Sequence, residues 1–205
     1  MLPQSKSPRL NLVSAGFWEN QSGRTVERFE LLTAPTGWWL RGTIVQMDDA
    51  ESAEARYEIR CDSAWRTESA DIVLRTSGAQ LDLNVRVESG HWYENGRINE
   101  SVDGCIDIDL GWSPSTNTLP IRRLNLAVGQ ASGSLTAAWV SFPDLTLQPL
   151  AQEYSRLADQ RYLYMSNGGS FKAELLVDKE GLVVDYDNLW RRVDRGSTSP
   201  SNQLA

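Results

Sequence analysis

A chain of 205 residues with a net charge of −7 is poorly suited to nucleic acid or to an anionic membrane surface, since both select clustered positive charge. Its 40% hydrophobic and 23% charged content allows a substantial core, and no apolar run approaches the ~20 residues of a membrane-spanning helix. Two cysteines and a single histidine cannot fill a four-coordinate zinc site.

Residues 1–14 are polar, include two prolines and read as a flexible arm. Lys6 and Arg9 precede only a short apolar segment, broken by Asn11 and Ser14, so no export signal is evident and the expected compartment is the cytoplasm. Strand signals begin at Phe17. Residues 25–33 form the first predicted strand and 37–48 the second. Within the second, Trp39, Arg41, Thr43 and Val45 alternate with Trp38, Leu40 and Ile44, so Trp38 and Trp39 must face opposite sides of a sheet. Residues 56–61 alternate too, with Tyr57, Ile59 and Cys61 inward against Arg56, Glu58 and Arg60. After a strand at 72–76, Leu81, Leu83, Val85 and Val87 alternate with Asp82, Asn84, Arg86 and Glu88. One packed face and one wet face mean an antiparallel sheet. Asn95-Gly96 is the type I′ dipeptide and predicts a hairpin between 91–94 and 97–101.

The segment 104–126, GCIDIDLGWSPSTNTLPIRRLNL, holds three unlike parts. A strand at 105–110 places Cys105, Asp107 and Asp109 on one face and Ile106, Ile108 and Leu110 on the other. Residues 111–116 end it. Asn117 and Thr118 can then cap a helix at 117–126, with Pro120 in its first turn and Ile121, Leu124 and Leu126 on one side. Further strands are expected at 134–142, 145–147, 162–166, 171–177 and 182–186. Residues 149–160 fit either a helix, through Leu150, Tyr154 and Leu157, or a hairpin turning at Ala158-Asp159. Residues 188–193 suggest a short turn, and 194–205 a disordered tail. With no repeat or linker between them, residues 15–193 read as one mainly β domain. Cys61 and Cys105 read as buried free thiols, with a disulfide between them as the alternative.

No phosphate loop, dinucleotide fingerprint, nucleophile elbow or zinc-protease motif is present, so no cofactor is indicated. His91 has no evident catalytic partner. Asp107 and Asp109, about 6.5–7 Å apart on one strand face, admit three readings. They form ion pairs with Arg122 and Arg123, or an acid–base pair of a hydrolase-type enzyme, or with Asp103 a hard-cation site. Neighbouring residues on a helix diverge by about 100°, so the two arginines cannot point the same way. At least one is expected to reach back to Asp107 or Asp109. Eight tryptophans either fill a wide interior or a subunit contact, or line a ligand pocket. The candidate binding residues are Trp39, Trp92, Trp112, Asn117, Arg122 and Arg123.

The segment 104–126 resembles a bacterial glycolipid-binding domain family, long known as a domain of unknown function. YEIRCDSAW at 57–65, the Trp92 hairpin, WVSFPDLTL at 139–147, QEYSRL at 152–157 and VDKEGLVVDY at 177–186 resemble that family's segments in order. The resemblance spans residues 14–193. It implies a spiral β-roll, a long and mostly antiparallel sheet wound around a single helix at 117–126, assembled as a homodimer. It also implies a non-catalytic protein that holds a lipid or glycolipid in an aromatic-lined cavity. The hydrolase is one alternative, and a structural or regulatory homodimer without a small ligand is another.

Overall fold

The computed structural model describes residues 8–47 and 52–193; the predicted tail and residues 1–7 of the predicted arm lie outside them. Eight strands come first: β1 (Asn11–Asn20), β2 (Thr25–Ala34), β3 (Gly37–Met47), β4 (Ser52–Cys61), β5 (Thr67–Thr76), β6 (Gln80–Glu88), β7 (His91–Glu94) and β8 (Arg97–Ile98). Then come β9 (Ile108–Leu110) and one helix, α1 (Thr118–Leu124). The chain ends with β10 (Leu135–Val140), β11 (Leu147–Ala158), β12 (Arg161–Ser166), β13 (Phe171–Val177), β14 (Val183–Tyr186) and β15 (Trp190–Val193).

The described strands form a single 15-stranded sheet in the order β8-β7-β6-β5-β4-β3-β2-β1-β15-β14-β13-β12-β11-β10-β9. Successive strands pair through hairpins, and β1 pairs on its free side with β15, placing Phe17 opposite Val193 and Asn20 opposite Trp190. The two halves of the chain therefore meet in the middle of the sheet. Every neighbouring pair is antiparallel except β9 and β10. A parallel pair needs a long crossover, and here residues 111–134 supply it and carry α1. The sheet does not close, but its two ends approach one another. The Thr67 N–H donates to Ile106 O (3.1 Å), Ile108 N–H donates to Thr67 Oγ1 (3.0 Å), and Asn99 Nδ2 donates to Leu147 O (3.1 Å). Both edge strands are short, which limits the unpaired backbone available to another chain.

The inner face of the roll carries the main core, including Trp18, Phe29, Leu40, Ile59, Ile72, Val85 and Trp92. Leu119 and Ile121 of α1 lie in the same cluster. A seven-residue helix is too short to be stable alone, so α1 depends on this burial. Asn125, in the left-handed region with φ 42°, ends it by donating its N–H to Ile121 O. Trp38 turns inward and stacks on Trp65 at 4.3 Å, whereas Trp39 turns outward into a second cluster with Leu32, Ala34 and Leu10.

Three sequence expectations are corrected, and the alternatives left open at 149–160 are decided for the hairpin. Residues 11–14 belong to β1, not to an arm, because β2 offers Leu32 and Thr33 as partners to Leu12 and Asn11. Residues 105–107 do not join a strand, and Cys105 follows a 3₁₀ turn at Glu100–Val102. Residues 149–158 are strand, since β10 and β12 take up both edges; Gln152 and Tyr154 point inward at a spacing of two. Residues 190–193 are strand β15, held between β1 and β14.

Tyr57 lies opposite Gly42 in the β3–β4 ladder, and its ring crosses that position: a β-carbon there would overlap ring carbons and the hydroxyl. Gly42→Ala is expected to overpack this site and destabilise the fold by about 1–3 kcal/mol. Urea unfolding measures this directly, and an unchanged midpoint would mean that the ring steps aside freely.

Candidate functional site

The first half of the crossover is fixed by buried polar groups. Asp107, just before β9, accepts two hydrogen bonds from Arg123 on α1, from Nε to Oδ1 at 3.0 Å and from Nη2 to Oδ2 at 2.5 Å. The side chains are 14% and 7% exposed, respectively, for Arg123 and Asp107, so water does not screen the pair. Burial pushes the Asp107 carboxyl above its usual range, and the Arg123 guanidinium opposes that shift. Arg122 diverges as helix geometry requires. It is exposed, donates to Lys179 O at 3.3 Å and lies over the Trp65 ring at 5.4 Å.

A second carboxylate, missed in the sequence, holds the start of the crossover. Glu27 on the inner face of β2 is fully buried. It accepts hydrogen bonds from the Tyr57 hydroxyl and, at 2.8 and 2.9 Å, from Ser113 Oγ. Ser113 Oγ also lies 2.7 Å from Ser115 Oγ and accepts from the Ser115 N–H at 3.1 Å. Among the described residues no cation neutralises Glu27, and burial raises its pKa from 4.5 to about 8 despite the two hydroxyl donors. The sequence signal was parity, for Glu27 shares the inward positions of Phe29 and Leu31.

Beside this network a cleft of about 460 Å³ opens between the crossover and the second half of the sheet. Asp109, Ser113 and Asn117 line its crossover side; Trp139, Tyr164, Phe171, Tyr186 and Trp190 supply rings from β10 and β12–β15. Gly111 admits the Trp139 indole, because a β-carbon there would overlap Nε1. Tyr164 packs edge-on against Phe171 and Tyr186, with centroids 5.9 and 6.3 Å away. Asp109 accepts from Thr116 Oγ1 at 3.1 Å and from Gln152 Nε2. Burial lifts its pKa to about 6, the Thr116 and Gln152 hydrogen bonds hold it down, and the neighbouring Asp107 charge adds a small rise. Asn117 Oδ1 accepts from the Tyr154 hydroxyl at 2.9 Å, and its Nδ2 donates to Pro114 O at 3.2 Å.

Of the sequence candidates, the cleft gathers Asn117 and Asp109. It does not gather Trp39, which faces outward beneath Arg60 with the guanidinium 5.4 Å from the ring. Trp92 is fully buried core and donates to Cys105 O at 3.1 Å. Trp112 packs half-buried against Phe142 at 5.8 Å, outside the cleft lining. Arg123 is committed to Asp107, and Arg122 lies beside Gly181 at a separate surface hollow. Of the three aspartates weighed for a cation, Asp103 turns to His91 Nδ1 at 3.0 Å, and no group of three or more metal-ligating side chains occurs among the described residues. Cys61 and Cys105 are buried and free. The ring-bearing residues of the cleft come from strands far apart in sequence, and no local motif unites them.

Two predictions follow from these buried groups. Arg123→Ala strands the Asp107 charge and is expected to cost about 3–5 kcal/mol in denaturant unfolding, against about 0–1 kcal/mol for exposed Arg122→Ala; equal small losses would place Arg123 among surface pairs. Folded Glu27 keeps its proton up to about pH 8, whereas the unfolded chain releases it near pH 4.5. Stability is therefore fully present below pH 4.5 and falls by a few kcal/mol as pH rises through 8. Glu27→Gln should flatten that slope in thermal melts between pH 5 and 9, and an unaltered slope would assign it to other groups.

The sequence matches, over residues 16–192, the family model described as "Putative glycolipid-binding". The crystal structure of a DUF1089 family protein from Pseudomonas aeruginosa is similar at 33% identity and a TM-score of 0.75, covering 83% of this chain and 92% of that one. A β-barrel-like protein of the family DUF1849 from Brucella abortus shares the fold at 9% identity and a TM-score of 0.52, with 88% of this chain and 95% of that one covered. Comparison with functionally curated proteins returned no match. No helix among the described residues is long and apolar enough to cross a membrane. With one family model spanning the rolled sheet from β1 to β15 and its crossover, the chain belongs to the family described as "Putative glycolipid-binding".

Proposed function

We propose that this protein is a non-catalytic carrier or sensor that holds the sugar headgroup of an amphiphile in the cleft between the crossover and β10–β15. One observation carries the reading: five aromatic residues and the fixed polar groups Asp109, Ser113 and Asn117 line one cleft of about 460 Å³. A sugar presents an apolar C–H face and a rim of hydroxyls. Rings suit the first and a carboxylate and an amide suit the second. The volume lies within the range of small-molecule sites, about 300–1,000 Å³. The family description points to the same ligand class. A paired-carboxylate hydrolase is less well supported, because Arg123 engages both Asp107 oxygens and leaves Asp109, among the described residues, as the single carboxylate lining the cleft.

The outer face supports pairing of two copies. Leu12, Leu32 and Trp39 lie in register across β1–β3, and Phe17 lies opposite Val193 on the same face. Leu12, Phe17 and Val193 are 61%, 36% and 42% exposed, an apolar row suited to a second copy. Sedimentation should give a dimer that Phe17→Asp converts to monomer; a monomeric parent removes this part of the reading.

Native mass spectrometry of protein purified from cells should show an added mass that organic extraction releases as an amphiphile. Octyl β-glucoside, titrated below its micellar concentration, should change the tryptophan fluorescence, with Trp139→Ala weakening binding about tenfold while circular dichroism is retained. A bare protein that ignores octyl glycosides would overturn the assignment.

A further inference from the structure

We infer that the cleft selects its headgroup by charge, accepting one that donates hydrogen bonds and carries no negative charge, with Asp109 as the residue that sets the choice. The inference rests on the amphiphile reading above. Among the described residues, no lysine, arginine or histidine lines the cleft. The two guanidiniums nearest in sequence are occupied elsewhere: Arg123 is bidentate to Asp107, and Arg122 reaches Lys179 O and the Trp65 ring. A phosphate, sulfate or carboxylate would therefore enter without a counter-cation.

The cleft's own donors are neutral, and three of them are already engaged. Ser113 Oγ is held by Glu27, the Asn117 amide donates to Pro114 O, and Gln148 Nε2 donates to Thr146 Oγ1 at 2.9 Å. Its acceptors are not all engaged. An ionised carboxylate offers about four lone-pair sites, and Asp109 uses one on each oxygen, for Thr116 and Gln152. The remainder suit two hydroxyl donors of a sugar. An anion meets lone pairs and a like charge, whose repulsion is strengthened where water is excluded. Glu27 stands behind Ser113 and adds no positive charge.

Octyl β-glucoside and octyl sulfate share a tail and differ in headgroup, and the charge of the sulfate is fixed across the working pH range. Titrated below their micellar concentrations at pH 7.5, the glucoside should bind at least tenfold more tightly. In the unmodified protein the gap should shrink at pH 5, below the Asp109 pKa of about 6. The groups around Asp109 do not reverse this. Asp107 stays paired with Arg123, Glu27 gains its proton at higher pH, and burial pushes the Tyr154, Tyr164 and Tyr186 phenols upward, out of this range. Asp109→Asn should narrow the gap at pH 7.5 to about threefold by weakening the glucoside and admitting the sulfate. The pH series keeps the test valid if that variant fails to fold. Sulfate binding as tight as glucoside binding at pH 7.5, or a gap unchanged at pH 5, overturns the charge rule and leaves the amphiphile site standing. Failure of both octyl compounds to bind overturns the amphiphile reading itself.

Discussion

Residues 112–121 of the crossover run through the interior of the roll, where an unpaired polar group is costly; most of the polar groups they bring there find a partner inside, and Trp112 Nε1 and Thr118 Oγ1 are the exceptions among the described residues. That constraint organises the rest of the structure. Two carboxylates meet it in different ways. Asp107 is matched by a full charge, Arg123, so the end of α1 is tied to the strand that precedes the helix. Glu27 has hydroxyl donors and, among the described residues, no cation, and its pKa of about 8 makes the neutral acid its main form at pH 7. A carboxylic acid can donate as well as accept, which suits a cluster of hydroxyls from Tyr57, Ser113 and Ser115. Gly42 belongs to the same arrangement, since it leaves the space through which Tyr57 reaches Glu27.

The parallel pairing of β9 with β10 explains why a helix lies inside a sheet at all. Hairpins could have continued the antiparallel order, but β9 enters in the direction of β10 and the chain must return before β10 begins. The return segment finds its burial within the curl of the sheet, where Leu119 and Ile121 fill space that the inward residues of β2–β6 leave open. Pairing of β1 with β15 then fixes both halves of the chain around it. An unclosed roll of this kind keeps one side of the crossover accessible, and the cleft lies there, walled by Asp109, Ser113 and Asn117.

Much of this was legible in the sequence where a strand has one wet face. The alternation at 81–88 and 56–61 identified β6 and part of β4, and the Asn95-Gly96 turn marked the β7–β8 hairpin. The 149–160 segment was ambiguous because Leu150, Tyr154 and Leu157 satisfy a helical period by coincidence. The buried pair Gln152 and Tyr154 follows the strand period, and neighbouring strands decided between them. Strand β15 is four residues long and follows a turn, so little local signal distinguished it from a continued turn. At the site, Asp109 and Asn117 were visible because they sit in an unusual segment. Glu27 was hidden in a charged-looking strand, and Trp139, Tyr164 and Trp190 meet only after β10–β15 have assembled.

The groups that stabilise the crossover also shape the cleft. Ser113 anchors Glu27 and lines the opening; Asp109 is oriented by Thr116 and Gln152; Asn117 is oriented by Tyr154 and Pro114. These side chains have already lost their rotamer freedom on folding, so a ligand does not have to order them again. The Tyr164 ring is likewise fixed between Tyr154, Phe171 and Tyr186. Preorganisation of this kind favours a ligand whose hydroxyls fit lone pairs already in place, and it penalises one that would require a carboxylate to turn away. The buried network that keeps the crossover inside the roll thus also gives the cleft its polarity.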